Sequence, residues 1–197
     1  MSADARAKLV RQLQGAYSGE LAAGYAYRGH WHSVREGPDR TRIREIEADE
    51  WHHRELVGGM LRQLGGKPNR VREAIFWCIG RGIAAFCHVG GWFAPMYGAG
   101  RLERGNIVEY EEAAVFASEC GHEEMVDCLL MMAEVEWDHE LYFRSNVVGH
   151  WMLRIFRLWE APAPRETIRA KFAAAREREQ APAVVRLDTA QVPVAPE

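Results

Sequence analysis

The sequence predicts an all-α chain, a four-helix bundle of two antiparallel helix hairpins joined by a long hydrophobic crossover. Three observations predict it. Apolar residues recur at three- and four-residue steps over long windows while period-two alternation is almost absent, which is the signature of helices. A Glu-Trp-x-His unit occurs twice, as Glu50-Trp51-His52-His53 and Glu136-Trp137-Asp138-His139, displaced by 86 residues. Between the two units lies one strongly apolar stretch, long enough to carry the chain from one hairpin to the other.

The first helix spans about 4–34, with the stripe Leu9, Leu13, Ala16, Glu20, Gly24, Tyr27 and Trp31, and ends before the stop pair Gly37-Pro38. The second, about 39–64, carries Ile43, Ile46, Glu50, His53, Val57, Met60 and Leu64 and stops at Gly65-Gly66. The stretch 74–99 contains Phe76, Trp77, Ile79, Ile83, Phe86, Trp92, Phe93 and Tyr97. Its length would reach across a bilayer, but Arg81, His88, Pro95 and five glycines weigh against a spanning helix. It reads instead as a buried crossover helix, or as a hydrophobic wall touching a membrane or an apolar substrate.

A third helix over about 100–119 breaks at Cys120-Gly121, and a fourth over about 122–147 has the stripe Met125, Leu129, Met132, Glu136, His139 and Phe143. The short connection makes these two neighbours in a hairpin. Residues 150–159 suit a short fifth helix, and Ala161-Pro162-Ala163-Pro164 marks a boundary. Residues 1–160 are thus expected to form the bundle. Residues 161–197 form a Pro/Ala-rich tail with one charged helical piece, Glu166 to Gln180, and a disordered end.

Composition narrows the function. With 197 residues, 48% apolar and 27% charged, the chain can bury one sizeable core. A net charge of -3 and a pI near 6.3 give no general attraction to nucleic acid. Cys78, Cys87, Cys120 and Cys128 form no Cys-x-x-Cys pair and no charged leader opens the chain, so buried structural thiols in a reduced, cytoplasmic compartment are expected. The same spacing removes four-thiolate iron and iron–sulfur sites.

Glu20, Glu50, His53, Glu136 and His139 fall within apolar stripes, where ordinary bundle helices place aliphatic residues. Burying a lone carboxylate costs several kcal/mol, and converging carboxylates also repel one another. Two divalent ions remove both costs, since four carboxylates balance two M²⁺ and neutral imidazoles complete the coordination. The fourth carboxylate must come from the third helix, which offers Glu103, Glu109, Glu111 and Glu112. A shift of 89 sets Leu13 on Leu102, Ala16 on Gly105, Glu20 on Glu109, Gly24 on Ala113 and Tyr27 on Phe116, selecting Glu109. Glu112, one turn on, is the alternative, with Glu103 behind it.

In this arrangement Glu50 and Glu136 bridge, Glu20 and Glu109 are terminal, and His53 and His139 each bind one ion. Oxygen and nitrogen donors without thiolate suit two iron ions, or manganese. His52 and Asp138 are expected to be surface polar groups, and Trp51 and Trp137 packing residues. Tyr17 and Tyr27 lie one and two turns from Glu20 on nearly the same face. They are the candidate redox-active or proton-donating tyrosines, with core packing as the plainer role.

The run Ser18-Gly19-Glu20-Leu21-Ala22-Ala23 with Tyr27 and Gly29, the two Glu-x-x-His units and the hydrophobic crossover together resemble the demethoxyubiquinone hydroxylases of the ferritin-like di-iron carboxylate superfamily, over residues 10–145. Tyr17 stands where that family has histidine, and Ala22 where it has glycine. The resemblance implies a ferritin-like bundle whose two irons use O₂ to hydroxylate an apolar aromatic or quinone-like substrate. Electrons would come from NADH or a partner reductase, because the chain has no Gly-x-Gly-x-x-Gly fingerprint. An exposed crossover would favour peripheral membrane contact or a homodimer. The same ligands also suit a rubrerythrin-like peroxidase or ferroxidase, and a non-enzymatic helical interaction protein is the alternative from another class.

Overall fold

Glycines in the left-handed region end two of the helices the sequence predicts. Gly65 (φ 64°) closes the second, and Gly121 (φ 76°) makes the turn before the fourth, where a side chain would be strained. The computed structural model describes residues 3–180 and is helical throughout, with no strand among the described residues. Its elements are α1 (Ala3–Ser33), α2 (Pro38–Gln63), α3 (Arg70–Cys87), α4 (Phe93–Glu119), α5 (Glu123–Val147), a single 3-10 turn (Trp151–Arg154) and α6 (Thr167–Gln180).

α1 packs along α2, and α4 along α5. Arg6 donates to the Leu64 carbonyl, Tyr17 lies on Gly58, Gly24 on Trp51, and Trp31 Nε1 donates to Glu47 at 2.6 Å. Rising positions on α1 therefore meet falling positions on α2. In the second pair, Gly100 meets Phe143 and Ser118 meets Glu123.

The apolar stretch is divided, not continuous. Asn69 caps α3 by accepting from the amides of Val71 and Arg72, both at 3.1 Å, and the helix ends at Cys87 before Gly90 and Gly91. The remainder of the stretch, from Phe93, forms the first turns of α4. α3 lies against α1 at two glycines: a Cβ on Gly29 would sit 2.3 Å from Ala84 Cα, and one on Gly80 2.6 Å from the Ala22 carbonyl oxygen. The expected buried crossover helix is corrected here, because only Gly80 and Cys87 of α3 are buried while Val71, Ile75, Trp77, Ile79 and Phe86 are exposed. Among the described residues no helix is long and apolar enough to cross a membrane.

The core forms two clusters. One gathers Leu9, Leu13, Val57, Leu61, Tyr110, Leu129 and Met132; the other Tyr27, Ile43, Ile46, Phe93, Met96 and Phe143. The buried ligand-type residues fall between them: Glu20 between Leu13 and Tyr27, Glu50 and His53 between Ile46 and Val57, Glu136 and His139 between Met132 and Phe143. The hydrophobic clusters thus clamp a polar layer from both ends.

Residues 150–159 make only the 3-10 turn and then an irregular strap, not a fifth helix. The strap delivers Trp159 to the second cluster, and α6 inserts Ile168 into the first. The segment 161–180 therefore contributes to the core of the bundle, and the disordered end expected for 181–197 lies outside the described residues. Cys78 is exposed, unlike the buried thiol expected there.

Candidate metal centre

Each bundle helix presents its polar residue where its neighbours present theirs. Among the described residues, two groups of donors lie within 4.8 Å of one another: Glu20, Glu50, His53 and Glu136, and Glu50, Glu103, Glu136 and His139. Glu50 and Glu136 belong to both. All six side chains are buried, Glu50, Glu136 and His139 completely. His53 Nδ1 lies 3.0 Å from Glu136 Oε1, while His139 Nδ1 lies 3.3 Å from Glu50 Oε1 and 3.5 Å from Glu136 Oε2. Behind the second ring, His139 Nε2 is 3.1 Å from Asp49 Oδ2.

Two tyrosines cross the layer. Tyr27 on α1 donates to Glu103 Oε1 on α4, and Tyr110 on α4 donates to Glu20 Oε1 on α1. Burial, together with the negative charges of Glu20 and Glu136, pushes the Tyr110 phenol well above its ordinary range, so it stays a proton donor.

The crowding of carboxyl groups in this buried layer raises the proton affinity of several of its members. Burial, with the charges of Glu50 and Glu136, raises the Glu20 carboxyl well above the usual range, and burial with Glu136 does the same to Glu103. Burial acts to lower both histidines, but Glu136 outweighs it at His53, and Asp49, Glu136 and Glu50 outweigh it at His139, so both are raised. Burial acts to raise Glu136, yet the imidazoles of His139 and His53 beside it hold it far below the carboxylate range. Glu20, Glu103, His53 and His139, whose affinities for protons are raised, are the groups that would give up protons to metal ions.

The donor set fits a pair of divalent cations. Glu20 Oε2, both oxygens of Glu50, Glu136 Oε2 and His139 Nδ1 are shielded from solvent and have no hydrogen-bond partner. Unmade hydrogen bonds on this scale cost about 1–3 kcal/mol each, and five of them turned toward one another are what coordination would satisfy.

A cavity of about 500 Å³ adjoins this layer between α1, α3 and α4. Ala26, Ile79, Ile83, Phe86, Pro95 and Leu102 contribute apolar wall, while Glu20, Tyr27, Glu103 and Tyr110 form its inner end. His30 also lines it, stacked on Tyr27 and Phe143, and no described residue hydrogen-bonds its ring nitrogens. Burial, opposed only partly by Asp39, lowers its pKa to about 4 and leaves it neutral at pH 7.

No known protein family, curated protein or solved structure matches the chain.

The structure brings Glu20, Glu50, His53, Glu136 and His139 together as the sequence pattern predicts, but the residue joining them from α4 is Glu103. Glu109 is corrected: it lies against Gly15 at the margin of the cavity, its carboxyl raised by burial and by Glu112. Glu112 is exposed, and Glu111 faces Lys171 at 3.6 Å. The 89-residue shift fails because Leu13 is fully buried whereas Leu102 is 60% exposed. A shift of 83 instead sets Leu13 on Met96, Ala16 on Ala99, Glu20 on Glu103 and Tyr27 on Tyr110, all buried. Tyr110, which sequence reasoning missed, was findable by that shift once α4 is known to begin at Phe93.

Tyr27 touches the cluster, but Tyr17 does not. Tyr17 packs on Gly58 with the Arg54 guanidinium 3.6 Å from its ring centre. His52 is exposed and Asp138 faces Arg165 at 3.6 Å. Trp51 fills the space over Gly24, and Trp137 donates to the Ala163 carbonyl at 2.7 Å, so both are packing residues.

Proposed function

We propose that this chain is a ferritin-like di-iron oxidoreductase, its two hairpins antiparallel, that uses O₂ to oxidise an apolar, ring-containing substrate, most simply as a monooxygenase. The observation that carries the reading is the pair of four-residue donor groups sharing Glu50 and Glu136 beside the apolar cavity. Glu20, Glu50, His53 and Glu136 would hold one ion; Glu50, Glu103, Glu136 and His139 the other. A pair of iron ions in such an oxygen and nitrogen donor set supplies redox reactivity toward O₂.

The chain's own residues supply position, protons and dryness. Tyr27 and Tyr110 donate their hydroxyl protons in hydrogen bonds to Glu103 and Glu20 at the inner end of the cavity, where a bound ring would meet them. Burial of the six donor side chains shields them from water and strengthens the electrostatic interactions among them. His30, neutral and free of a protein partner, offers one hydrogen bond to an uncharged polar group on an otherwise apolar ligand. Electrons come from an external reductase. A cavity of this size on the metal layer favours an organic substrate over a peroxidase or ferroxidase reading of the same ligands.

Metal content together with O₂ consumption tests this. Wild-type protein loaded with Fe(II) is expected to retain about two ions per chain, by the ligand arithmetic of bundle sites, and to change its optical spectrum on exposure to O₂. Glu103→Leu should lose metal while Glu109→Leu retains it. Equal metal loss in the two variants would remove Glu103 from the site, and a wild type that binds none would end the proposal.

A further inference from the structure

The duplication that repeats the ligands does not repeat their supports. His139 Nε2 is held by Asp49 Oδ2 at 3.1 Å. The 86-residue relation that carries Glu50 to Glu136 and His53 to His139 carries Asp49 to Val135, so no carboxylate stands behind His53, and no described residue hydrogen-bonds its Nε2. The terminal glutamates differ in the same sense. Asn106 Nδ2 donates to Glu103 Oε2 at 2.8 Å, whereas the 83-residue relation places Ala23 at the matching position and Glu20 Oε2 has no partner. Both extra hydrogen bonds therefore fall on one donor group, Glu50–Glu103–Glu136–His139, and neither falls on the other.

A carboxylate behind a ligating histidine fixes the ring's tautomer and orientation and makes the facing nitrogen more basic. With Asp49 accepting from Nε2–H, the Nδ1 lone pair of His139 is committed to the side where Glu50 and Glu136 lie. Such outer partners are worth about 10–100-fold in metal affinity. We propose that the two metal positions are inequivalent and fill in order, the Glu103–His139 position first, with Asp49 as the positioning residue that sets the order. This rests on the di-metal reading above.

Equilibrium titration of the metal-free protein with Co(II), followed by its visible absorption and by calorimetry, tests the order without calling on turnover. Wild type should show two resolved phases of one equivalent each, separated by roughly 10–100-fold. Asp49→Ala should weaken the tight phase by a similar factor and merge it with the weak one, with circular dichroism of the metal-free variant keeping the helical signal of the wild type. Val135→Asp, which places a carboxylate behind His53, should tighten the weak phase. Two equivalents bound in one phase that Asp49→Ala leaves unmoved would overturn the ordering while the di-metal reading stands. No Co(II) bound by the wild type would overturn both.

Discussion

His30 is a buried imidazole that does not belong to the metal layer, and its protonation is set by its surroundings alone. In the unfolded chain it takes a proton near pH 6.5, and in the folded protein only near pH 4. Between those values the unfolded state binds more protons, so stability falls as pH drops through that window and is unaffected by this group above it. The full loss is about 3 kcal/mol, taking 1.36 kcal/mol per unit. Urea unfolding of wild type and His30→Phe at pH 7.5 and pH 5 should show the variant losing less stability on acidification; equal losses would mean that the ring is not held neutral. At this scale the sequence was legible where a residue broke an apolar stripe twice in phase, as Glu50, His53, Glu136 and His139 do. It was illegible at Glu103, because a glutamate's role depends on where its helix starts, and an apolar run gives no sign of the break between Cys87 and Phe93.

α3 shows how an element is placed by what it lacks. It meets α1 through Gly29 and Gly80, where backbone lies against backbone, and a Cβ at Gly29 would meet Ala84 Cα at 2.3 Å and Ala84 Cβ at 2.5 Å. Neither atom can swing aside. Ser18 Oγ donates to Glu73 at 2.6 Å and Arg54 pairs with the same carboxylate, binding α1, α2 and α3 at one node. Gly29→Ala is therefore expected to cost about 1–3 kcal/mol through overpacking, lowering Tm by about 2–4 °C for each kcal/mol in a chain of this length. Gly82→Ala, where nothing lies within 4 Å, should instead stabilise α3 by roughly 0.5–1 kcal/mol. Thermal melts of the two variants compare directly, and a harmless Gly29→Ala would show that α3 can lift from α1. Since α3 also walls the cavity, its seating sets the width of the space beside Glu20.

The whole molecule encloses a buried carboxyl and imidazole layer between two apolar clusters, so the proposed metal uptake would depend on pH. Glu20, Glu103, His53 and His139 all have raised affinities for protons. Binding of divalent ions at these groups competes with protons, so affinity should weaken as pH falls and binding should release protons. Calorimetric titration in two buffers of different ionisation enthalpy counts them; identical heats in both would place the metal elsewhere. The all-helical class and the polar layer were readable from periodicity and the repeated tetrapeptide, whereas the short helix expected at 150–159 was not, because an apolar run there packs as a strap without helical turns. The docking of α6 was not, since one buried isoleucine, Ile168, inside a charged segment carries no periodic signal.

The crossed tyrosines also bear on how such a chain can be divided. Tyr27 serves the glutamate of α4 and Tyr110 the glutamate of α1, so neither half of the duplication keeps its own carboxylate company. Either half of the chain standing alone would carry a buried acid without its phenol and a phenol without its acid. Only the union of the two halves supplies both partners, making the centre a property of that union and its integrity a report on correct assembly.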